Sequence, residues 1–103
     1  MEEFIMKSSG NVYQDLGFDD APSMQIKAEL VSRLNDIMEE KNLTQSKVAA
    51  ITGIPQGRIS KILRGHFEGV SEYKLLECLS KLGNDIEIRM TPVSQREGRI
   101  IFA

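Results

Sequence analysis

Positive charge is concentrated in one segment of this chain, between Lys41 and Phe67. That segment contains no Asp or Glu and five bases: Lys41, Lys47, Arg58, Lys61 and Arg64. The whole chain carries a formal net charge of −2, so removing these five positive charges leaves −7 on the remaining residues. An acidic chain with one segment that carries only positive charges is expected to bind a polyanion there.

Residues 55–64 form a two-faced helix when they are placed at intervals of about 100°. Ile59, Ile62 and Leu63 share one face with Pro55, and Lys61 and Arg64 point the other way. A helix that is apolar on one side and polar on the other fits a DNA major groove about 12 Å wide. Glutamine pairs with adenine and lysine reaches guanine. The predicted base-reading residues are Gln56, Gly57, Ser60 and Lys61, with Gly57 allowing close approach.

The helix predicted before residues 55–64 in the chain offers groups that bind phosphate. Its predicted start supplies backbone N–H groups together with hydroxyl and amide donors, and a helix N-terminus attracts anions. Such contacts set the position of the protein on a duplex without specifying its sequence. The predicted phosphate-contacting residues are Thr44, Gln45, Ser46, Lys47, Arg58 and Arg64.

Four helices are predicted to hold these side chains in place. Ser23 is expected to cap the first, which buries Ile26, Leu30, Leu34 and Ile37, exposes Lys27 and ends near Asn42. Thr44 caps the second, which buries Val48, Ala49 and either Ile51 or Thr52 and is followed by Gly53. Pro55 suits the first turn of the third helix. Ser71 caps the fourth, which buries Leu75, Leu76, Leu79 and Leu82 and stops at Gly83.

The two ends of the chain differ from this helical part. We therefore divide the chain into an arm (1–22), a helical domain (23–83) and a β extension (84–103). The arm has no helical or strand periodicity; Val12, Tyr13, Leu16 and Phe18 are available for packing. Ile86, Ile88 and Met90 alternate with charged residues, which predicts a strand, and residues 99–102 could form a second. Because an isolated hairpin is marginal in water, these strands are expected to pair with another chain or with the arm. We favour a dimer, through Ile86, Ile88 and Met90, over a hairpin within the chain.

The helical segment resembles the Cro/repressor-type (XRE) helix-turn-helix family. The resemblance rests on Leu43-Thr44-Gln45, Ala49, Gly53, Ile59-Ser60 and Gly65. It implies a mainly α, lambda-repressor-like bundle of four to five helices and a transcriptional regulator of double-stranded DNA. The family's base-reading positions fall on Gln56, Gly57 and Lys61, and its phosphate-contacting glutamine falls on Gln45. Gly57 departs from the polar residue usual at its position.

Flanking segments are similar to a HigA-like subgroup of antitoxins. They are residues 11–18, 64–67 and 82–88, and the whole resemblance covers roughly residues 11–90. It implies a homodimer that represses its own operon at a palindromic operator and neutralises a RelE/HigB-type toxin. The alternatives are a stand-alone or phage-type regulator without a toxin, and an interaction module that has lost DNA binding.

Other chemistry is poorly supported by the sequence. Cys78 lies one helical turn from Leu75 and Leu82, which predicts a core thiol, and His66 is predicted to be an ordinary loop residue. Asp19-Asp20 and Glu39-Glu40 are predicted to be surface carboxylates. We expect no enzyme activity, metal or cofactor. A single cysteine, an acidic N-terminus and no long apolar run favour a cytoplasmic protein without a membrane segment.

Overall fold

The computed structural model describes residues 4–6 and 21–103 of the chain. In chain order it contains β1 (Phe4–Met6), α1 (Ala21–Glu40), α2 (Gln45–Thr52), α3 (Gln56–Leu63), α4 (Glu72–Lys81) and β2 (Ile100–Phe102). The predicted mainly α fold with a short C-terminal strand is confirmed. The expectations for residues 11–18 and for Asp19-Asp20 lie outside the described residues.

The chain divides into two compact units. The first, Ile26–Ile86, holds most of α1 together with α2, α3 and α4. The second, as far as it is described, holds β1, the start of α1 and residues 87–103. No helix among the described residues is long and apolar enough to cross a membrane.

Helix starts follow the predicted capping residues in two places out of three. The Thr44 hydroxyl accepts a hydrogen bond from the Lys47 N–H at 3.1 Å, and the Ser71 hydroxyl accepts one from the Lys74 N–H at 3.0 Å. Each hydroxyl satisfies a backbone donor of the first turn. The prediction that Ser23 caps α1 is wrong, because α1 begins at Ala21 and Ser23 lies inside it. Pro22 is tolerated there because a first-turn residue needs no N–H.

A residue with positive φ follows each of the four helices. These residues are Asn42 (53°), Gly53 (79°), Gly65 (97°) and Gly83 (95°). After α1, the N–H of Leu43 donates to the Met38 carbonyl at 2.8 Å, and after α3 the N–H of His66 donates to the Lys61 carbonyl at 2.9 Å. This is the Schellman arrangement, which satisfies the last helical carbonyls and turns the chain sharply.

The core of the helical unit is built mainly from aliphatic side chains. Its buried members include Leu30, Val31, Leu34, Val48, Ile54, Ile59, Ile62, Phe67, Val70, Leu75, Leu79 and Leu82. Of the two alternatives in α2, Thr52 is buried and Ile51 is exposed. In α1, two predicted core residues, Ile26 and Ile37, are only half-buried.

Lys27 is a clear correction to the predicted polar face of α1, because only 5% of this residue is exposed. Its ammonium donates to the Glu68 carbonyl at 3.0 Å and lies 3.7 Å from the Glu72 carboxylate. A buried cation is tolerated only with such partners. The partners come from a distant segment, so helical periodicity alone assigned Lys27 to the surface.

The β structure lies elsewhere than the alternating pattern predicts. β1 pairs antiparallel with β2, with Ile5 opposite Ile101. The strand expected near residues 99–102 is therefore confirmed, and its partner is the N-terminal segment. Residues 84–99 form neither helix nor strand, so the strand predicted at Ile86–Met90 and the hairpin within the chain are wrong. The alternating apolar side chains of that segment are not covered by other apolar residues, because Ile88 is 81% and Met90 93% exposed.

Candidate nucleic-acid interface

The turn between α2 and α3 is closed by backbone and side-chain hydrogen bonds. Gly53 adopts φ 79° and donates its N–H to the Ala49 carbonyl at 2.9 Å. The Thr52 hydroxyl donates to the Val48 carbonyl at 2.8 Å and accepts from the Ile54 N–H at 3.3 Å. These contacts define the path of the chain into α3. Sequence reasoning found Gly53 but missed this part played by Thr52.

α3 has the two faces that its sequence predicts, except that Leu63 is only half-buried and Pro55 is exposed. Ile59 and Ile62 are fully buried, whereas Gln56, Gly57 and Lys61 are exposed and Ser60 is half-buried. Pro55 precedes the helix as its N-cap residue and makes no side-chain cap. A Cβ atom built on Gly57 would meet nothing within 4 Å. The exposed face is therefore narrow at its start and polar along its length, as entry into a major groove requires.

The beginnings of α2 and α3 both present backbone donors without an adjacent acid. Neither helix has an acidic residue in its first turn. The first N–H groups of a helix lack an intrahelical acceptor, so those of Gln45, Ser46, Gln56 and Gly57 point out of the helix ends. Such ends attract phosphate through their N–H groups and the helix dipole.

Three of the five bases between Lys41 and Phe67 hold backbone carbonyls. The Lys41 ammonium donates to the Leu82 carbonyl at 2.7 Å, at the end of α4. Arg58 donates from Nη2 to the Gly69 carbonyl at 3.3 Å, and Arg64 donates from Nε to the Ser60 carbonyl at 3.4 Å. Lys47 and Lys61 are exposed, and their ammonium groups have no partner in the described chain. Both arginines keep further donors, because a guanidinium carries five.

Most of the described bases outside this segment form ion pairs, and Arg96 and Arg99 are the exceptions among the described residues. Bases of α1, α4 and the C-terminal extension pair with carboxylates: Lys27, Arg33, Lys74, Lys81 and Arg89. Lys74, first through its hydrogen bond and then its charge, and Lys81 hold the pKa of the Glu77 carboxyl below its ordinary value. The bases between Lys41 and Phe67 form no ion pair with a described residue. Their charge is therefore not neutralised by the chain's own acids, which favours attraction of an external polyanion.

The remaining candidates for chemistry lie where the sequence predicts. Cys78 is buried, and its burial raises the pKa of the thiol. His66 is exposed in the segment after α3, and Glu39 and Glu40 are exposed on α1. Across residues 4–6 and 21–103, the structure contains no group of three or more His, Cys, Asp or Glu that could hold a metal ion.

Two helices joined by a tight turn, with a polar and positively charged outer face on the second, define a helix-turn-helix DNA-binding protein. Comparison with known proteins agrees: residues 12–91 match the family model described as "Helix-turn-helix domain". A solved structure assigned to the XRE family of transcriptional regulators is 35% identical, with a TM-score of 0.69, and the match covers 79% of this chain and 93% of that one. No curated protein matches significantly. The chain belongs to the XRE family of helix-turn-helix transcriptional regulators.

Proposed function

We propose that this DNA-binding regulator is a homodimeric repressor of its own operon. The observation that carries the proposal is the outer face of α3, where Lys61 is exposed and has no partner in the described chain. A surface ammonium with no intramolecular partner is available to a ligand. In the major groove it would reach the O6 and N7 acceptors of guanine.

The other side chains divide by role. Gln56 contacts an adenine edge, Ser60 lies beside Lys61, and Gly57 lets the start of α3 approach the bases closely. Contacts to the DNA backbone come from the start of α2 and from the bases at the edges of the interface. These backbone-contacting residues are Thr44, Gln45, Ser46, Lys47, Arg58 and Arg64.

Dimerisation is supported by exposed apolar side chains in the C-terminal extension. Ile86, Ile88, Met90, Val93, Ile100 and Ile101 are all exposed large hydrophobic residues. Soluble proteins seldom leave such a group uncovered unless a partner covers it. We propose that the exposed side chains of Ile86, Ile88 and Met90 pack against the same segment of a second copy. A two-fold dimer then places two copies of α3 about 34 Å apart, on a palindromic operator.

An antitoxin role is the finer form of this proposal. It is supported by the HigA-like flanking segments and by the charge of −7 outside the motif, which suits a basic RelE/HigB-type toxin. Co-purification with the product of the neighbouring gene tests the role, and the proposal expects that product to be a small basic protein. Failure of that protein to bind removes the antitoxin proposal and leaves a stand-alone or phage-type regulator.

The decisive experiment is a fluorescence-anisotropy titration on the DNA upstream of the gene, with a scrambled duplex, across a salt series. Lys61→Ala should weaken operator binding by about 1–3 kcal/mol in a sequence-dependent way. Lys74→Ala is the matched control, because it removes the same charge from an exposed surface ion pair on α4. The control should bind as the parent does, since such pairs contribute little. Equal weak binding to both duplexes would instead support an interaction module without DNA recognition.

A further inference from the structure

A buried amine on α1 is connected to α3 through two successive peptide groups. Lys27 Nζ donates to the Glu68 carbonyl at 3.0 Å. The next carbonyl, that of Gly69, accepts from Arg58 Nη2 on α3 at 3.3 Å. We propose that Lys27 is a positioning residue for DNA recognition, which acts on the DNA-facing helix through this turn and touches no DNA itself. The proposal rests on the proposed DNA-binding role of α3.

The turn that carries these carbonyls is anchored on both sides. Phe67 and Val70 are buried, and the Val70 N–H donates to the Phe67 carbonyl at 3.1 Å. Glu68 and Gly69 between them are exposed. The two carbonyls between the anchors thus face cations from different helices, Lys27 of α1 and Arg58 of α3.

Because Lys27 is buried, loss of its hydrogen bond to the Glu68 carbonyl would destabilise the fold. Its side chain is 6% exposed, and its carboxylate partner, Glu72, is 40% exposed at 3.7 Å. A buried ammonium without partners carries a large desolvation penalty, so Lys27 constrains where the Glu68 carbonyl can lie. The adjoining Gly69 carbonyl is constrained with it, and so is the arginine that it holds.

Arg58 transmits this constraint to the predicted base-reading face. It lies one position before buried Ile59 and three before Lys61, and residues three apart are neighbours on a helix surface. The two isoleucines fix one side of α3, and the Arg58–Gly69 contact fixes its rim. Loss of the Lys27 contact should allow α3 to shift about its axis, which alters base contacts more than phosphate contacts.

Replacement by a neutral side chain separates positioning from simple stabilisation. Removing one member of a buried ion pair is costly when the remaining charge stays buried, but Glu72 is 40% exposed and water can solvate it, so Lys27→Met should fold. Arg33→Met is the matched control, because it removes one positive charge from a half-buried ion pair within the same helix. Circular dichroism melts establish that both variants are folded at the binding temperature.

We expect Lys27→Met to lose about tenfold in operator affinity beyond Arg33→Met, as for one weakened base contact, with an unchanged salt slope. Placed on Arg58→Ala, the same substitution should cause no further loss, because residues acting through one contact are not additive. Lys27→Arg, which keeps the cation and donors, should recover most of the affinity.

Three results would overturn the proposal. Affinity equal to that of Arg33→Met would make Lys27 a purely structural residue. If Lys27→Met lowered operator affinity as much on the Arg58→Ala background as it does alone, Lys27 would act on DNA binding through a contact other than that of Arg58. A salt slope lower by about one unit would indicate that Lys27 contacts phosphate itself. If the parent protein does not select its operator, the proposed function fails independently of Lys27.

A second variant decides the matter if Lys27→Met does not fold. Glu72→Gln removes the carboxylate beside Lys27 from a partly exposed position. Loss of an acid by itself should strengthen DNA binding, because it reduces repulsion of phosphate. The proposal expects the opposite, a measurable weakening, because Lys27 loses a partner. Stronger binding by Glu72→Gln would count against it.

Discussion

Gly57→Ala should make the protein more stable and a poorer DNA binder. Gly57 is the second residue of α3, and a Cβ atom added there meets nothing within 4 Å in the protein. Its φ lies outside the left-handed region, so the fold does not require glycine at this position. The proposed reason for glycine there is close approach of the helix start to DNA.

The two effects have opposite signs and measurable sizes. Alanine is favoured over glycine within a helix by about 0.5–1 kcal/mol. For a domain of this size each kcal/mol raises the melting temperature by about 4–8 °C, so a rise of several degrees is expected. At the DNA surface the added methyl must displace the helix, and overpacking of a close contact costs about 1–3 kcal/mol. Operator affinity should therefore fall by about five- to 150-fold.

Thermal melts by circular dichroism and anisotropy titrations on operator DNA measure both effects on one preparation. Gly98→Ala is the matched control, because it adds the same methyl to open space outside the helical unit. It should change neither quantity appreciably. A stabilised Gly57→Ala protein that binds its operator as tightly as the parent would refute close approach of α3 at this residue.

Three further substitutions or probes test the remaining contacts. Lys41→Met should lower the free energy of unfolding, measured in urea, by about 1–2 kcal/mol because a charged hydrogen bond is lost. The operator affinity of this variant, and the dependence of that affinity on salt, should equal those of the parent protein. Thr52→Val should cost about 1–3 kcal/mol in urea unfolding, because the buried Ile54 N–H loses its acceptor; an unchanged midpoint would contradict the hydrogen bonds at the turn. Burial raises the pKa of the Cys78 thiol, so its reaction with a disulfide reagent at neutral pH should be slow until urea unfolds the chain; rapid labelling of the folded protein would show the thiol to be accessible.

Local features of the fold were predictable because their causes lie within a few residues. The Thr44 and Ser71 caps each involve a donor three residues away, and Gly53 sits where the chain needs a positive φ. The two faces of α3 follow from periodicity alone. Residue type and short spacing carried the information in each case.

Distant contacts were not predictable in this way. Lys27 and Lys41 each hold a carbonyl 41 residues further along the chain, and nothing beside them in sequence marks those partners. The pairing of β2 with Phe4–Met6 is similar, because a strand of three residues is too short to show a period. Ile86, Ile88 and Met90 did alternate, yet no strand within residues 4–6 and 21–103 pairs with them.

The position of α3 between Pro55 and the left-handed residue Gly65 has a consequence for how this regulator can change its target. Both boundaries are set by backbone chemistry, so the helix has little freedom to gain or lose a residue. One residue inserted between Ile59 and Lys61 would rotate Lys61 by about 100° relative to buried Ile59 and move it to the angle that buried Ile62 now holds, away from the exposed face. New operator preferences should therefore evolve through exchange of exposed side chains, with helix length preserved. A library built on this protein would vary Gln56, Gly57, Ser60 and Lys61 and leave Pro55 and Gly65 untouched.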